Sequence, residues 1–475
     1  MQTIALPLGY AAPLRCVEVC LKQKSQEDTL PIYHCRSRKN KDSGRKRAES
    51  ECVRVQCDNR REFCNAILFD STGLAMDDGK ISSNNSKENT DSRVQGPAMY
   101  KASDFCQELA RLGSDFYTGV PDSVLKGLCN FLNSHPPKGG HIQAANEGGA
   151  IALAVGRYLA TGRIPVVYMQ NSGLGNAVNP LLSLADAEVY AIPMLLLIGW
   201  RGEPGGKDEP QHMKQGRITL DVLDTLGIPY GIAGLDWPQT VFELEMAYTA
   251  MRHHSHPYAL VVQKGCLENE PSFAAAAPAP DALTRDTAIR VLVECADDNT
   301  AFIASTGLAS RELYDIRTKS GEGHERDFLN VGAMGHASMI ALGIAGAQPG
   351  RRVVCLDGDG ALLMHMGSLP IIGQQAPANL THVLLNNGVH DSVGGQPNAV
   401  GVIDPAEVAA ACGYKRIFQA TSEHGLRETA GAALSVPGPV FWDVRLTGRG
   451  HGQPGRPSIP CATMAQQFGD FLRMT

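Results

Sequence analysis

Two short runs carry residue types that could do chemistry together. Gly358-Asp359-Gly360 follows the apolar run "RRVVCLD", and Asn386-Asn387-Gly388 follows "THVLL" about 25 residues further along. The glycines allow backbone angles and close approach that other residues forbid. A helix starting here would point free N–H groups at a phosphate. Asp359 is a hard oxygen ligand suited to Mg²⁺. By itself the first run reads equally as a tight turn. The second changes its meaning, because adjacent parallel strands bring their C-terminal ends side by side. Asn387 then reaches the ion that Asp359 holds. Mg²⁺ takes few protein ligands and completes its octahedron with substrate phosphate oxygens. A carboxylate, an amide oxygen and a backbone carbonyl leave room for two such oxygens.

The elements that must position these residues follow a βαβ rhythm. From Met99 onward, "ASDFCQELARLG" is amphipathic, "DFYTGVP" is a short strand and "DSVLKGLCNFLNSH" is helical. "HIQAA" is a strand and "NEGGAIALAVGRYLATG" a small-residue helix. "IPVVYMQ" and "IPMLLLIGW" are strands separated by a helix-bearing stretch. The Ala/Pro-rich stretch at 273–285 reads as a linker. After it come helix "AIRVLVECA", strand "AFIAST", helix "SMIALGIAGA", strand "RRVVCLD", helix "GSLPIIGQQA", strand "THVLLNN", helix "AEVAAACG" and strand "PVFWDVRL". The expectation is an α/β chain with two doubly wound parallel-sheet domains, 99–272 and 286–475, and no middle domain.

Composition narrows the function. With 475 residues, 43% of them hydrophobic, the chain is long enough for more than one core. A net charge of −6 and the lack of a dense Lys/Arg block argue against nucleic acid as a partner. No apolar run reaches the roughly 20 residues of a membrane helix, so no membrane partner is expected and the location reads as cytoplasmic. Residues 1–97 are polar, mixed in charge and without apolar period, and read as a disordered or targeting extension. Cys16, Cys20, Cys35, Cys52, Cys57 and Cys64 do not space like a zinc module. The later cysteines read as small core residues in a reducing compartment.

"GDG" followed by "NN" at this spacing resembles the signature of thiamine-diphosphate enzymes. The resemblance implies the two-domain fold of that family, a pyrimidine-binding half and a diphosphate- and Mg²⁺-binding half, with thiamine diphosphate and Mg²⁺ as cofactors. It carries metal roles to Asp359, the side chain of Asn387 and the carbonyl of Val389. Gly358, Gly360 and Ala361 would give the diphosphate room. Glu147, opening the helix "NEGGAIALA", falls where the family keeps a buried glutamate that reaches the aminopyrimidine ring. Read alone, it is an acid at a helix start, favoured by the macrodipole. "NVGAMGHAS" resembles the segment under the bent cofactor, with Gly332 offering a carbonyl and Met334 an apolar wedge. "STGLAS" resembles the loop at the diphosphate end, with Thr306 and Gly307.

The stretches "TGVPDSVLKGLCNFL", "YMQNSGLGNAVNPLLSLAD", "LLLIGWRGEPGGKDEPQHMKQG" and "NNGVHDSVGGQP" are similar to decarboxylases of three-carbon 2-oxoacids that carry a phosphonate or sulfonate head. An anionic head needs cations or N–H donors. Arg201 and Lys207 stand on a glycine-rich loop that could close over the site, with His212 beside them. His212 falls where related decarboxylases place an active-site histidine, and Ser123 and Asp122 where they place a polar substrate-side residue. Asp122 also reads as a helix cap. His390 and Asp391 follow the metal loop as candidate proton relays. Cofactor sites in this family join halves of two subunits, so a homo-oligomer is expected, with Glu147 and Asp359 facing each other across the interface. A dinucleotide-dependent dehydrogenase is disfavoured, because Leu363 stands where its glycine fingerprint needs a third glycine. A non-catalytic homologue is disfavoured by Glu147, Asp359 and Asn387 occurring together.

Overall fold

The computed structural model describes residues 54–56, 65–67, 99–269, 282–448 and 454–474. Within the N-terminal extension, Arg54–Gln56 and Asn65–Ile67 pair antiparallel in a unit of their own. The rest of residues 1–97 and most of the expected linker, 273–285, lie outside the described residues. The part of that linker that is described leads into a helix: Thr284 accepts the Thr287 N–H as N-cap of Arg285–Cys295.

The remainder carries two six-stranded parallel sheets. The first comprises β1 (Phe116–Gly119), β2 (Gly140–Gln143), β3 (Val166–Gln170), β4 (Leu195–Gly199), β5 (Tyr230–Ala233) and β6 (Tyr258–Val262), in the order β2-β1-β3-β4-β6-β5. The second comprises β7 (Ala301–Ala304), β8 (Asp327–Leu329), β9 (Val353–Gly358), β10 (Leu380–Asn386), β11 (Arg416–Ala420) and β12 (Val440–Arg445). Its order, β8-β7-β9-β10-β12-β11, repeats the first. The halves are therefore topological copies, and loops at matching strand ends occupy matching places.

Central strands explain why the apolar runs read as strands. Every residue of Leu195–Gly199 and of Tyr258–Val262 is buried, as expected where helices cover both faces of a parallel sheet. Each sheet separates two apolar clusters. Tyr117, Tyr168, Leu197 and Leu260 lie on one side of the first sheet, and Val167, Met169, Leu196 and Ile198 on the other. Phe302, Leu356 and Trp442 against Ile303, Cys355 and Phe441 repeat this in the second.

Two readings change. The helix expected from Asp122 begins only at Lys126. Asp122 instead closes a turn, its Oδ2 accepting the N–H groups of Val124 (2.8 Å) and Leu125 (3.1 Å). Among the later cysteines, Cys129, Cys266 and Cys355 are core residues, whereas Cys295 and Cys461 are exposed. Both stand at helix ends, Cys295 closing one helix and Cys461 opening another, where packing does not reach them. No helix among the described residues is long and apolar enough to cross a membrane.

Candidate active site

Loops at the C-terminal ends of both sheets line one cavity of about 880 Å³, within the range of cofactor and substrate sites. Side-chain bonds tie the halves together beside it. Gln396 Nε2 donates to Asn130 Oδ1 (2.7 Å), and Asn146 Nδ2 reaches the Met364 carbonyl (3.4 Å).

Glu147 enters from the helix Glu147–Thr161. Asn146 caps that helix by accepting the Gly149 N–H at 2.8 Å, and Gly162 ends it in the left-handed region at φ 65°. The Glu147 carboxyl is buried and accepts from Asn176 Nδ2 at 2.8 Å. Burial pushes its pKa up, and the Asn176 hydrogen bond opposes this only in part. A β-carbon on Gly173 would lie 2.4 Å from Glu147 Oε1, so this glycine makes room for the carboxylate.

The two runs that opened the sequence reading do meet. Asp359 Oδ1 accepts the Gly360 N–H (2.7 Å), and Oδ2 accepts the N–H groups of Asn387 (3.1 Å) and Gly388 (2.5 Å). Asn387 Oδ1 accepts the Val389 N–H at 3.2 Å. Strands β9 and β10 pair in parallel up to Gly358 and Leu385, which places these loops side by side. Despite its hydrogen bonds, burial raises the Asp359 pKa. A divalent cation would offset that cost, and the hard oxygens of Asp359, Asn387 and Val389 suit Mg²⁺. The neighbouring backbone is open: a β-carbon on Gly358 or Gly388 would meet nothing within 4 Å, and one on Gly307 only Ser392, at 3.9 Å. Room of this kind fits a diphosphate laid against main chain.

Beneath Asp359 lies a buried chain that the sequence reading missed. His382 Nε2 meets Asp357 Oδ2 at 3.3 Å, and its Nδ1 meets the Tyr414 hydroxyl at 2.9 Å. Asp357 Oδ1 accepts the Gly358 N–H at 3.0 Å, so the chain ends on the cofactor loop. Asp357 and His382, with Cys355, form the one cluster of three potential metal ligands found among the described residues. Both His382 nitrogens are already spent on Asp357 and Tyr414.

In the "NVGAMG" turn Ala333 is strained at φ 49°, whereas Gly335 takes φ 84° freely. Met334 packs over Gly360, whose absent β-carbon would lie 3.3 Å from its methyl and 2.8 Å from the His390 ring. Burial lowers the His390 pKa to about 4. Burial, then Arg201, lowers that of His212 to about 4 as well. Both imidazoles are neutral at pH 7. Each can pass a proton on, but neither stores one as imidazolium. His212 Nδ1 and Gln211 Oε1 are buried without a hydrogen-bond partner among the described residues.

Ser123, Arg201, Thr306, Gly332, Ala361 and Asp391 also line the cavity, whereas Asp122 and Lys207 do not. Lys207 is exposed on its loop. Asp122 is buried as the turn cap described above. Arg201 is bound bidentately by Asp208 (2.7 and 2.5 Å) and donates to Ser123 Oγ at 2.7 Å. Asp391 pairs with Arg285, which Glu312 also holds. Sequence reasoning missed Arg285, Glu312, Asn176 and Gly173, whose partners only the fold supplies. Glu147 and Asp359, expected to face each other, line the same cavity.

Comparison with known proteins agrees with this geometry. Residues 101–224, which include Glu147, match the thiamine pyrophosphate enzyme N-terminal TPP-binding domain. Residues 314–444, which include Asp359 and Asn387, match the C-terminal TPP-binding domain. The chain is 36% identical to a phosphonopyruvate decarboxylase of Streptomyces viridochromogenes over 79% of its own length and 95% of that protein's. It is 34% identical to one of Streptomyces hygroscopicus, over 78% and 94%. A sulfopyruvate decarboxylase of Methanosarcina acetivorans is 29% identical over 67% and 84%. With both cofactor-binding domains matched and the Streptomyces proteins covered almost from end to end, the chain belongs to the thiamine pyrophosphate enzyme family, in the carboxy-lyase group that contains the phosphonopyruvate decarboxylases.

Proposed function

We propose that the protein decarboxylates 3-phosphonopyruvate to phosphonoacetaldehyde and CO₂, a non-oxidative step of phosphonate biosynthesis that depends on thiamine diphosphate and Mg²⁺. The observation that carries this reading is one cavity shared by a buried Glu147 from the first half and the Asp359–Asn387 pair from the second. The phosphonopyruvate decarboxylases, 36% and 34% identical over nearly their whole length against 29% for the full-length sulfopyruvate enzyme, support that substrate.

In this reading Asp359, Asn387 and the Val389 carbonyl hold Mg²⁺. Thr306, Gly307, Gly358, Gly360 and Ala361 leave main chain open to the diphosphate. Gly332 and Met334 shape the floor beneath the cofactor. Thiamine diphosphate, when bound, supplies the electron sink for the pair released as the carboxylate leaves. Glu147, whose pKa burial raises, would hydrogen-bond the pyrimidine ring of the bound cofactor. In balance, the C1–C2 bond breaks, CO₂ departs and C2 takes up one proton. The neutral imidazoles of His212 and His390 relay that proton from solvent, with Ser123, Arg201 and Asp391 around the approach. We also propose a homo-oligomer. Relatives named as separate alpha and beta sulfopyruvate decarboxylase subunits each match about a third of the chain or less. Division of the halves between chains is thus a form the family takes.

The test is turnover of the purified full chain with both cofactors on phosphonopyruvate, sulfopyruvate and pyruvate, each offered alone. Phosphonoacetaldehyde release with kcat/KM at least tenfold above that for the other two supports the reading. Preference for sulfopyruvate or pyruvate overturns it. Glu147→Gln keeps the side chain's size and its contact with Asn176, and is expected to lower kcat by about 10²- to 10⁴-fold while cofactor still binds.

A further inference from the structure

Four arginines line the cavity: Arg201, Arg285, Arg311 and Arg456. Three of them are neutralised. Arg201 is held by Asp208, Arg285 by Glu312 and Asp391, and Arg456 by Glu209. Arg311 differs. It stands in the first turn of the helix Leu308–Lys319, just after Gly307, and is partly buried. Among the described residues it has no hydrogen bond, and no carboxylate lies within ion-pair distance. Burial works against its charge, and Arg456 and Arg201 add to the repulsion, with only Glu209 opposing them. A partly buried guanidinium with cationic neighbours and no counter-ion is costly unless an anion arrives.

We propose that Arg311 is the residue that binds the phosphonate head of the substrate. This rests on the decarboxylase reading above and names the group that would make it selective. Two arguments assign the head rather than the carboxylate or the cofactor. First, the carboxylate must leave as neutral CO₂. A guanidinium clamped on it would stabilise the ground state and slow its loss, whereas the phosphonate keeps its charge throughout. Second, the charged groups acting on Arg311 are Arg456, Glu209 and Arg201. Two of these stand at the Arg201–His212 wall and the third in the C-terminal segment. None belongs to the Asp359 and Asn387 loops, where the metal is expected. Planar guanidinium donors suit phosphonate oxygens in a paired geometry. Arg201, already forked onto Asp208, lacks that freedom.

The experiment uses the full chain with saturating thiamine diphosphate and Mg²⁺, comparing wild type, Arg311→Met and Arg311→Lys. In Arg311→Met, KM for phosphonopyruvate should rise at least about tenfold, while kcat/KM for pyruvate changes less than about twofold. Arg311→Lys should recover part of the loss. Methylphosphonate, titrated calorimetrically into the same samples, should bind wild type and lose at least about tenfold in affinity in Arg311→Met. Thermal melts confirm that the variants are folded. Equal losses on phosphonopyruvate and pyruvate overturn the assignment. So does a shift confined to the half-saturating thiamine diphosphate concentration, which would hand Arg311 to the cofactor. If wild type turns over phosphonopyruvate and Arg311→Met leaves its KM unchanged, the subsite falls and the decarboxylase reading stands. If wild type binds methylphosphonate through Arg311 but does not decarboxylate phosphonopyruvate, the anion site stands and the decarboxylase reading falls.

Discussion

Gly173 and Glu147 are fitted to each other: the space a β-carbon would fill at Gly173 is occupied by the Glu147 carboxylate, 2.4 Å from Oε1. Gly173 closes the turn after β3, and Glu147 opens the helix after β2. Nothing in the run "NSGLGN" says that its first glycine faces an acid two elements away. A Gly173→Ala variant must therefore move Glu147 or the turn. Overpacking of this kind costs about 1–3 kcal/mol, and displacing the acid should lower kcat by at least about tenfold. Thermal melting and steady-state kinetics together check this. A variant with wild-type turnover would show that the carboxyl needs no fixed position.

Asp359 satisfies three backbone N–H groups from two loops. Its removal should act on both structure and metal. Asp359→Ala leaves those donors unpaired and is expected to cost about 1–3 kcal/mol. It should also abolish the Mg²⁺ dependence of cofactor binding. Titration of thiamine diphosphate at varied Mg²⁺, followed by intrinsic fluorescence, measures this. Metal-dependent binding that survived in Asp359→Ala would place the ion elsewhere.

His382 is the central member of the buried chain that ends on the Gly358 N–H. Its imidazole is fully buried, so His382→Leu leaves Asp357 and Tyr414 each short of one partner. The expected destabilisation is about 3 kcal/mol. Because the chain stops at the cofactor loop, the half-saturating Mg²⁺ concentration should rise as well, whereas KM for substrate should hold once cofactor saturates. Chemical denaturation and Mg²⁺ titration separate the two effects. Lost stability with unchanged Mg²⁺ dependence would leave the chain a core feature alone.

How much of this could be read from residue order follows from sequence distance and sheet order. Asp359 and Asn387 end strands that are consecutive in the chain and adjacent in the sheet, so spacing alone brought them together. The long apolar runs at 195–199 and 353–358 announced central strands. Tyr230–Ala233, an outer strand with alternate burial, gave no such signal. Glu147 was found through family likeness, because an acid at a helix start has an ordinary explanation. Asn176, Gly173 and the Arg285–Glu312–Asp391 cluster depend on side chains brought together by the sheet's crossovers, which residue spacing does not encode. Asp122 was misread as helix because a capped turn and a capped helix begin with the same residues. Arg311 is unremarkable in "ASRELY" and becomes informative only when its neighbours' charges are known to be spent.

The buried imidazoles set a pH dependence of stability whose sign can be worked out. His141 bonds the Tyr168 hydroxyl at 2.8 Å, and burial lowers its pKa to about 4 from an ordinary 6.5. His212 is lowered to the same value. The unfolded chain protonates these groups below pH 6.5, but the folded chain does so only near pH 4. Their stabilising contribution is therefore complete above pH 6.5 and is lost as pH falls toward 4. For the more deeply buried His141 the shift corresponds to a contribution on the order of 3 kcal/mol. Glu147 and Asp359, with raised pKa values, act in the opposite sense as pH rises through the carboxylate range. The comparison must therefore be made between wild type and a variant lacking one imidazole. In urea unfolding at pH 7.5 and 5.0, wild type should lose more stability on acidification than His141→Gln, which carries no titrating ring. Equal losses in the two proteins would mean that His141 titrates normally in the folded state and that its burial against Tyr168 does not exclude the proton.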